Sequence, residues 1–120
     1  MTLRLIDGDY TITQPASPIV HRGLALTETV YALSEPILEV STGAAEYLRG
    51  AARQMMLGVL AADWQEAIAC RADLEVALHD ARRVGLIDSA ACEAIWGQLR
   101  EIKTLLHHML SSENSLAVAA

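Results

Sequence analysis

Aromatic residues are scarce in this sequence: two Trp, three Tyr and no Phe occur among 120 residues. A core built from it must therefore be aliphatic, since 52% of the chain is apolar. Ala and Leu rank highest in helix propensity, and only three Pro and seven Gly are present to interrupt helices. A chain of this length can bury one core. The composition predicts a single all-α domain.

Positive charge is also scarce, because nine Lys and Arg face fifteen Asp and Glu, for a net charge of −6. Binding to a phosphate backbone draws on clustered Lys and Arg, so any RNA binding is expected to be weak and salt-sensitive. Basic side chains that could contact a partner or nucleic acid are Arg49, Arg53, Arg71, Arg82 and Arg83. Each could instead pair at helical spacing with Glu46, Glu75 or Asp80.

Patterns that indicate metal or cofactor chemistry are missing. Cys70 and Cys92 form no CxxC pair, so we predict two buried free thiols without zinc or redox chemistry. The adjacent His107 and His108 point about 100° apart on a helix and cannot share one ion. The glycines are isolated rather than gathered in a phosphate-binding loop. We expect no cofactor and no metal.

An enzyme would require the histidines and cysteines to converge in one pocket, and no spacing in the sequence predicts that they do. We therefore predict a non-enzymatic protein.

No run of about 18 apolar residues is present to cross a membrane. The first ten residues lack the apolar segment of a signal peptide. These features predict a cytoplasmic protein without membrane contact.

Residues 1–23 differ from the rest of the chain and are predicted to form an arm and linker. Two β-leaning runs, 3–6 and 10–13, flank an Asp-Gly-Asp turn, which is a hairpin signal. The two prolines in residues 14–18 predict an extended linker. A helical bundle is predicted over 24–112, and a flexible tail over 113–120.

The first predicted helix has Leu26, Val30, Leu33 and Ile37 at spacings of four, three and four, which places them on one face. Pro36 lies in the same segment. A proline cannot donate the hydrogen bond that its position in a helix requires, so we expect a kink or a restart there.

Helix caps divide the remaining chain. Ser41, Thr42 and Gly43 precede a second helix, while the join to the third is ambiguous: Asp63 caps a new helix, or the second continues. Gly85 is predicted to end the third helix. Asp88 or Ser89 caps the fourth, whose face is Ile95, Leu99, Ile102, Leu106 and Met109. The fold class predicted is all-α: an up-and-down four-helix bundle with a short β-leaning arm.

Trp64 and Trp96 each lie among polar residues of predicted helices. They are interpreted either as edges of the core or as an oligomer interface, where Trp is enriched. The bundle also offers more apolar surface than four short helices readily bury, which predicts a homo-oligomer.

Four segments resemble the helical bundle proteins encoded in ribosomal RNA intervening sequences and the accessory variability determinant (Avd) proteins of diversity-generating retroelements. They are residues 30–37 (VYALSEPI), 47–52 (YLRGAA), 72–78 (ADLEVAL) with 83–87 (RVGLI), and the closing helix with Leu99, Ile102, Leu105 and Leu106. The resemblance extends over residues 25–112. It implies a homopentamer that binds a reverse transcriptase and its template RNA.

We therefore expect an accessory or adaptor subunit that binds a protein partner, with a reverse transcriptase implied by the resemblance, and RNA as a further, weak ligand. The alternative is an acidic chaperone or immunity-type protein that masks a basic partner. Its contacts would include Glu35, Glu39, Asp63 and Glu66.

Overall fold

The computed structural model describes the backbone of residues 2–5, 8–11 and 17–119 and the side chains of residues 17–114. Within these ranges a two-stranded hairpin precedes four helices. The elements are β1 (Thr2–Leu5), β2 (Gly8–Thr11), α1 (Pro18–Val40), α2 (Thr42–Leu60), α3 (Trp64–Arg83) and α4 (Ser89–Ala119). Each helix packs against the next, and α4 returns to α1. The predicted all-α four-helix bundle is confirmed.

The predicted hairpin is present, but the predicted position of its turn is corrected: because Leu5 pairs with Gly8, Gly8 and Asp9 of the predicted Asp-Gly-Asp turn lie in β2. β1 and β2 are antiparallel, with Thr2 opposite Thr11 and Leu5 opposite Gly8. Residues 6–7 and 12–16, which belong to the predicted β-leaning runs, turn and linker, lie outside the described residues.

Helix α1 begins at Pro18, so the predicted boundary of the arm and linker at residue 23 is corrected. Proline suits the first position of a helix, because the amide it lacks would have no partner there and its φ is already helical. The additional turn also extends the apolar face, since Ile19 and Gly23 are buried. The two prolines in residues 14–18 predicted a linker, but burial of Ile19 stabilises the helix instead.

Helix α1 runs unbroken through Pro36 to Val40, so no restart occurs there. The helix tolerates this proline because it lies on the exposed side of the last turns, where water can solvate the carbonyl left without a donor. Its neighbour Ile37 is buried in the core. Packing of Ile37 outweighs the loss of one helical hydrogen bond.

A single residue, Ser41, joins α1 to α2. Its amide donates to the Ile37 carbonyl at 2.7 Å, which ends α1, and its Oγ accepts from the Ala44 amide at 3.2 Å, which begins α2. The predicted N-terminal cap of α2 is confirmed. The turn is so short that α1 and α2 pack as antiparallel neighbours.

The join between α2 and α3 is a true break. Ala62 has a φ of 56°, and the Asp63 amide donates to the Gly58 carbonyl at 2.8 Å. The Asp63 side chain accepts from the Glu66 amide at 3.3 Å and caps α3. Of the two alternatives that the sequence left open, capping by Asp63 is the one observed.

The end of α3 and the start of α4 were both predicted. Gly85 has a φ of 85°, and the Leu86 amide donates to the Ala81 carbonyl at 2.9 Å, which closes α3. Asp88 caps α4 by accepting from the Ala91 amide at 2.8 Å.

Helix α4 continues to Ala119, which corrects the predicted end of the bundle helix at residue 112. Residues 111–119 contain neither Pro nor Gly, so the helix propagates beyond the last core side chain, Leu106.

The core is aliphatic, as the composition predicted. Its largest fully buried side chains include Leu26, Leu48, Met55, Met56, Leu74, Ile95 and Leu106. Leu33, predicted for the inner face of α1, packs at the core's edge. None of the described helices combines the length and apolarity needed to cross a membrane.

Small residues allow α2 and α3 to pack at a short distance from each other. A Cβ placed on Gly58 would lie 3.0 Å from the Ala67 amide nitrogen and 3.1 Å from its Cα and Cβ. The two helices are therefore in close contact at Gly58. Gly97 permits no such contact, because a Cβ there would meet nothing within 4 Å.

We predict opposite effects of alanine at these two glycines. Gly58→Ala should lower the free energy of unfolding by about 1–3 kcal/mol, because the α3 backbone must move. Gly97→Ala should raise it by up to about 1 kcal/mol, because alanine favours the helix. Urea unfolding followed by circular dichroism measures both. Equal effects of the two substitutions would contradict the close approach.

Candidate functional site

Arg49 on α2 is used to hold α2 to α1. Its Nε donates to Ser34 Oγ at 2.7 Å, and its Nη2 donates to the Tyr31 carbonyl at 3.1 Å and to Glu35 Oε2 at 2.8 Å. The guanidinium also lies 4.7 Å from the centre of the Tyr31 ring. The side chain is only 13% exposed. These contacts leave little of Arg49 for an external ligand.

Arg53 lies one turn further along α2, and its Nη1 contacts Tyr31 Oη at 3.5 Å. Arg49 and Arg53 are therefore brought together around one tyrosine. Arg53 is half-buried. Of the predicted basic trio, the structure gathers these two at the α1–α2 contact.

Arg71 is buried, with 6% of its surface exposed. Its Nη2 pairs with Glu75 at 3.1 Å, and its Nε has no hydrogen-bond partner among the described side chains. Its prediction as a surface contact is wrong, because the α3 face that carries it points into the bundle. Pairing with Glu75 at helical spacing, the alternative from sequence, is observed.

Arg82 and Arg83 are exposed in the last turn of α3, where positive charge complements the helix dipole. Arg83 pairs with Asp80 at 2.7 Å. They flank His79, whose ring lies 4.3 Å from that of Trp96 on α4. Among the predicted basic contacts, these two remain open to a partner.

Both tryptophans lie at the edge of the core. Trp64 begins α3 and Trp96 lies on α4, and each is half-buried against the core. This placement agrees with the core-edge interpretation and leaves part of each indole exposed. Their role in an oligomer interface stays a prediction.

Two adjoining hollows that share Tyr47 lie along the α2–α3 pair, and together they are called the α2–α3 groove. At one end its walls are mainly apolar: Ala44, Tyr47, Leu48, Ala77, Ala81 and Val84. Tyr47 is 61% exposed and Val84 is 69% exposed, and both lie at this same end of the groove. The small alanines form the floor, so the two large side chains stand above it.

Carboxylates line the edges of this groove. Tyr47 also belongs to the next stretch of the groove, where Glu46, Glu66 and Asp73 are found. Asp80 lies at the first stretch, beside Val84. The surface therefore combines an apolar floor with an acidic rim.

The two cysteines are buried free thiols, as predicted. Burial and a hydrogen bond to Glu66, 3.4 Å from Sγ, raise the pKa of Cys70 to about 11. Burial also raises the pKa of Cys92. A thiol is nucleophilic only as thiolate, so neither cysteine is activated.

Metal-ligand geometry is absent from the described side chains, where no group of three or more His, Cys, Asp or Glu could hold an ion.

Comparison of the chain with protein-family models, with curated proteins and with solved structures finds no match.

Sequence reasoning missed the α2–α3 groove. A signal was present, because Ala44, Tyr47 and Ala51 recur at spacings of three and four beside the predicted inner face of α2. An apolar set that is wider than one buried stripe indicates a second contact surface on the helix.

The Arg49 contacts predict a stability effect that an exposed ion pair lacks. Arg49→Ala should lower the free energy of unfolding by about 1–3 kcal/mol, because buried Ser34 Oγ loses its donor. Arg83→Ala removes an exposed pair and should change it by less than about 0.5 kcal/mol. Chemical unfolding of the two variants measures the difference. A smaller loss from Arg49 than from Arg83 would contradict the network.

The raised pKa of Cys70 predicts slow alkylation. A shift from 9.0 to about 11 lowers the thiolate fraction near neutral pH by about a hundredfold. Iodoacetamide should therefore label Cys70 at least that much more slowly in the folded protein than in urea, with the rate rising as pH approaches 11. Mass spectrometry of timed samples measures the rate. Comparable rates in both states would show that the thiol is accessible and ionised.

Proposed function

We propose that this protein is a non-enzymatic accessory or adaptor subunit, which acts by assembling with itself and by binding a protein partner. The observation that supports it most directly is the exposure of Tyr47 and Val84 on opposite walls of the α2–α3 groove. Large apolar side chains in such a position gain free energy when a partner covers them.

A protein is favoured over RNA as the main partner. Arg49 and Arg71, two of the five proposed basic contacts, are engaged inside the bundle, and Arg83 pairs with Asp80. Binding to RNA would depend on the exposed Arg82 and Arg83, with help from Arg53, against a net charge of −6. RNA is therefore a secondary ligand in this proposal.

The resemblance to Avd proteins suggests the first partner and assembly to test: a reverse transcriptase and a homopentamer. The exposed parts of Trp64 and Trp96 are the proposed contacts between subunits. Trp is enriched among the interface residues that contribute most to the binding free energy. Trp96 packs against His79 with the two rings tilted by 35°, so the two residues would enter such an interface together.

A second candidate is an acidic chaperone or immunity-type protein that masks a basic partner. The carboxylates along the α2–α3 groove favour it, and Glu66 is among the contacts expected from sequence. The other expected contacts are divided: Glu35 is bound by Arg49 and Asp63 caps α3, whereas Glu39 is exposed.

Self-assembly predicts a solution mass that is a multiple of 13.0 kDa. Trp96→Arg should reduce this mass towards one chain, because a charge would have to be buried at the interface. Light scattering after size exclusion measures mass, and circular dichroism checks that helicity is kept. Leu57→Arg, which introduces the same charge at an exposed apolar residue, is the control. A single-chain mass for the parent at all concentrations would contradict self-assembly.

Partner binding is tested separately. The neighbouring genes are first searched for a reverse transcriptase or a basic effector, and whichever is found is co-expressed with this chain and purified through a tag on the partner. Recovery of a stoichiometric complex with the reverse transcriptase supports the adaptor. Recovery with the basic effector supports the second candidate. Loss of both complexes in washes of moderate salt would contradict a stable protein partner.

A further inference from the structure

The α2–α3 groove has the length of a short helix segment. Along α2 it extends from Ala44 past Tyr47 to Gln54. At a rise of 1.5 Å per residue this is about 15 Å, or nearly three helical turns. About one turn beyond Gln54, Gly58 is in close contact with Ala67.

The shape suits side chains that enter from above. The floor is formed by small residues, including Ala44, Ala51 and Ala77, so it lies below the level of Tyr47 and Val84. A row of apolar side chains spaced three and four residues apart on a helix would lie along such a floor. Tyr47 contacts both stretches of the groove and would pack against the middle of that row.

The charge of the rim selects among occupants. Glu46, Glu66, Asp73 and Asp80 line the groove, and Arg83 pairs with Asp80. A second copy placed groove to groove would bring the same four carboxylates against one another, which disfavours self-docking. A phosphate backbone would be repelled in the same way. A cationic protein segment is attracted.

We propose that the α2–α3 groove binds a basic amphipathic helix of a partner protein. The apolar face of that helix covers Tyr47, Val84 and the alanine floor, while its Lys and Arg side chains reach Glu46 and Asp73. This inference rests on the proposed function, which it deepens by assigning the surface and the chemistry of the partner. It assigns no role to Trp64 or Trp96.

The test uses synthetic 20-residue helical peptides that carry a fluorophore. The first set has apolar residues at helical spacing (Leu, Phe or Trp in different members) and Lys at the other positions. The second set replaces every Lys with Glu. The third set has the composition of the first in scrambled order. Fluorescence anisotropy against the full chain measures affinity at low and at physiological salt. The first set should bind, with affinity that falls as salt rises, and the other two should not.

Groove variants of the full chain locate the binding. Tyr47→Arg places a charge in the groove, and its control is Leu57→Arg on the same helix outside the groove. Asp73→Lys reverses a rim charge, and its control is Glu28→Lys, an exposed position on α1. The two groove variants should weaken binding by about tenfold or more, and the controls by less than about twofold. Circular dichroism confirms that all four remain folded.

Several results would overturn the inference: no binding by any member of the first set, equal binding of the acidic set, or equal losses in groove and control variants. The proposed function fails on different evidence, since it depends on the solution mass and on recovery of a natural complex. A natural partner whose binding is unaffected by Tyr47→Arg and Asp73→Lys would leave the adaptor function intact and remove this groove as its site.

Discussion

The close packing of α2 on α3 through small side chains is the constraint on which the rest of this bundle depends. Without Phe, and with both Trp at the edge, the core cannot be filled by large rings, so helices must approach one another. Gly58 against Ala67 provides that approach. At the α2–α3 groove, alanine side chains between the same two helices leave a shallow floor on the outer surface. Tyr47 and Val84 then stand above it, so the groove is a by-product of how the core is closed.

Two of the nine basic residues are used inside the fold. Arg49 joins α2 to Tyr31, Ser34 and Glu35 of α1, and Arg71 is buried beside Glu75. A buried arginine must be paired, because its desolvation is costly. The consequence for the surface is an excess of carboxylates. This is a physical reason why a chain with nine basic residues presents an acidic groove.

Much of the fold could be predicted because the signals were local. The faces of α1 and α4 follow from helical spacing, and Ser41, Asp63, Gly85 and Asp88 cap or end helices by contacts within a few residues. The start of α1 was missed because a proline at the first helical position looks the same as one in a linker. The extent of α4 was missed because propensity carries a helix beyond its last core contact.

The candidate site could not be predicted to the same degree, because it depends on contacts between helices. Arg49 reaches Ser34, 15 residues away, and the sequence alone suggested its neighbour Glu46 as partner. Likewise, whether Arg71 points inward or outward depends on the rotation of α3 in the bundle. The two pairs that helical spacing did suggest, Arg71–Glu75 and Arg83–Asp80, are both present because they lie within one helix.

Helix α3 separates the two proposed contact surfaces. Ala77 and Val84 face the groove, whereas His79 turns towards α4 and packs against Trp96. Two residues along a helix differ by about 200° in direction, so Ala77 and His79 point to nearly opposite sides of α3. An oligomer formed through Trp96 would therefore leave every groove open. A partner with more than one basic helix could then bind several subunits at once, and modest affinity at each groove would add up to a stable complex.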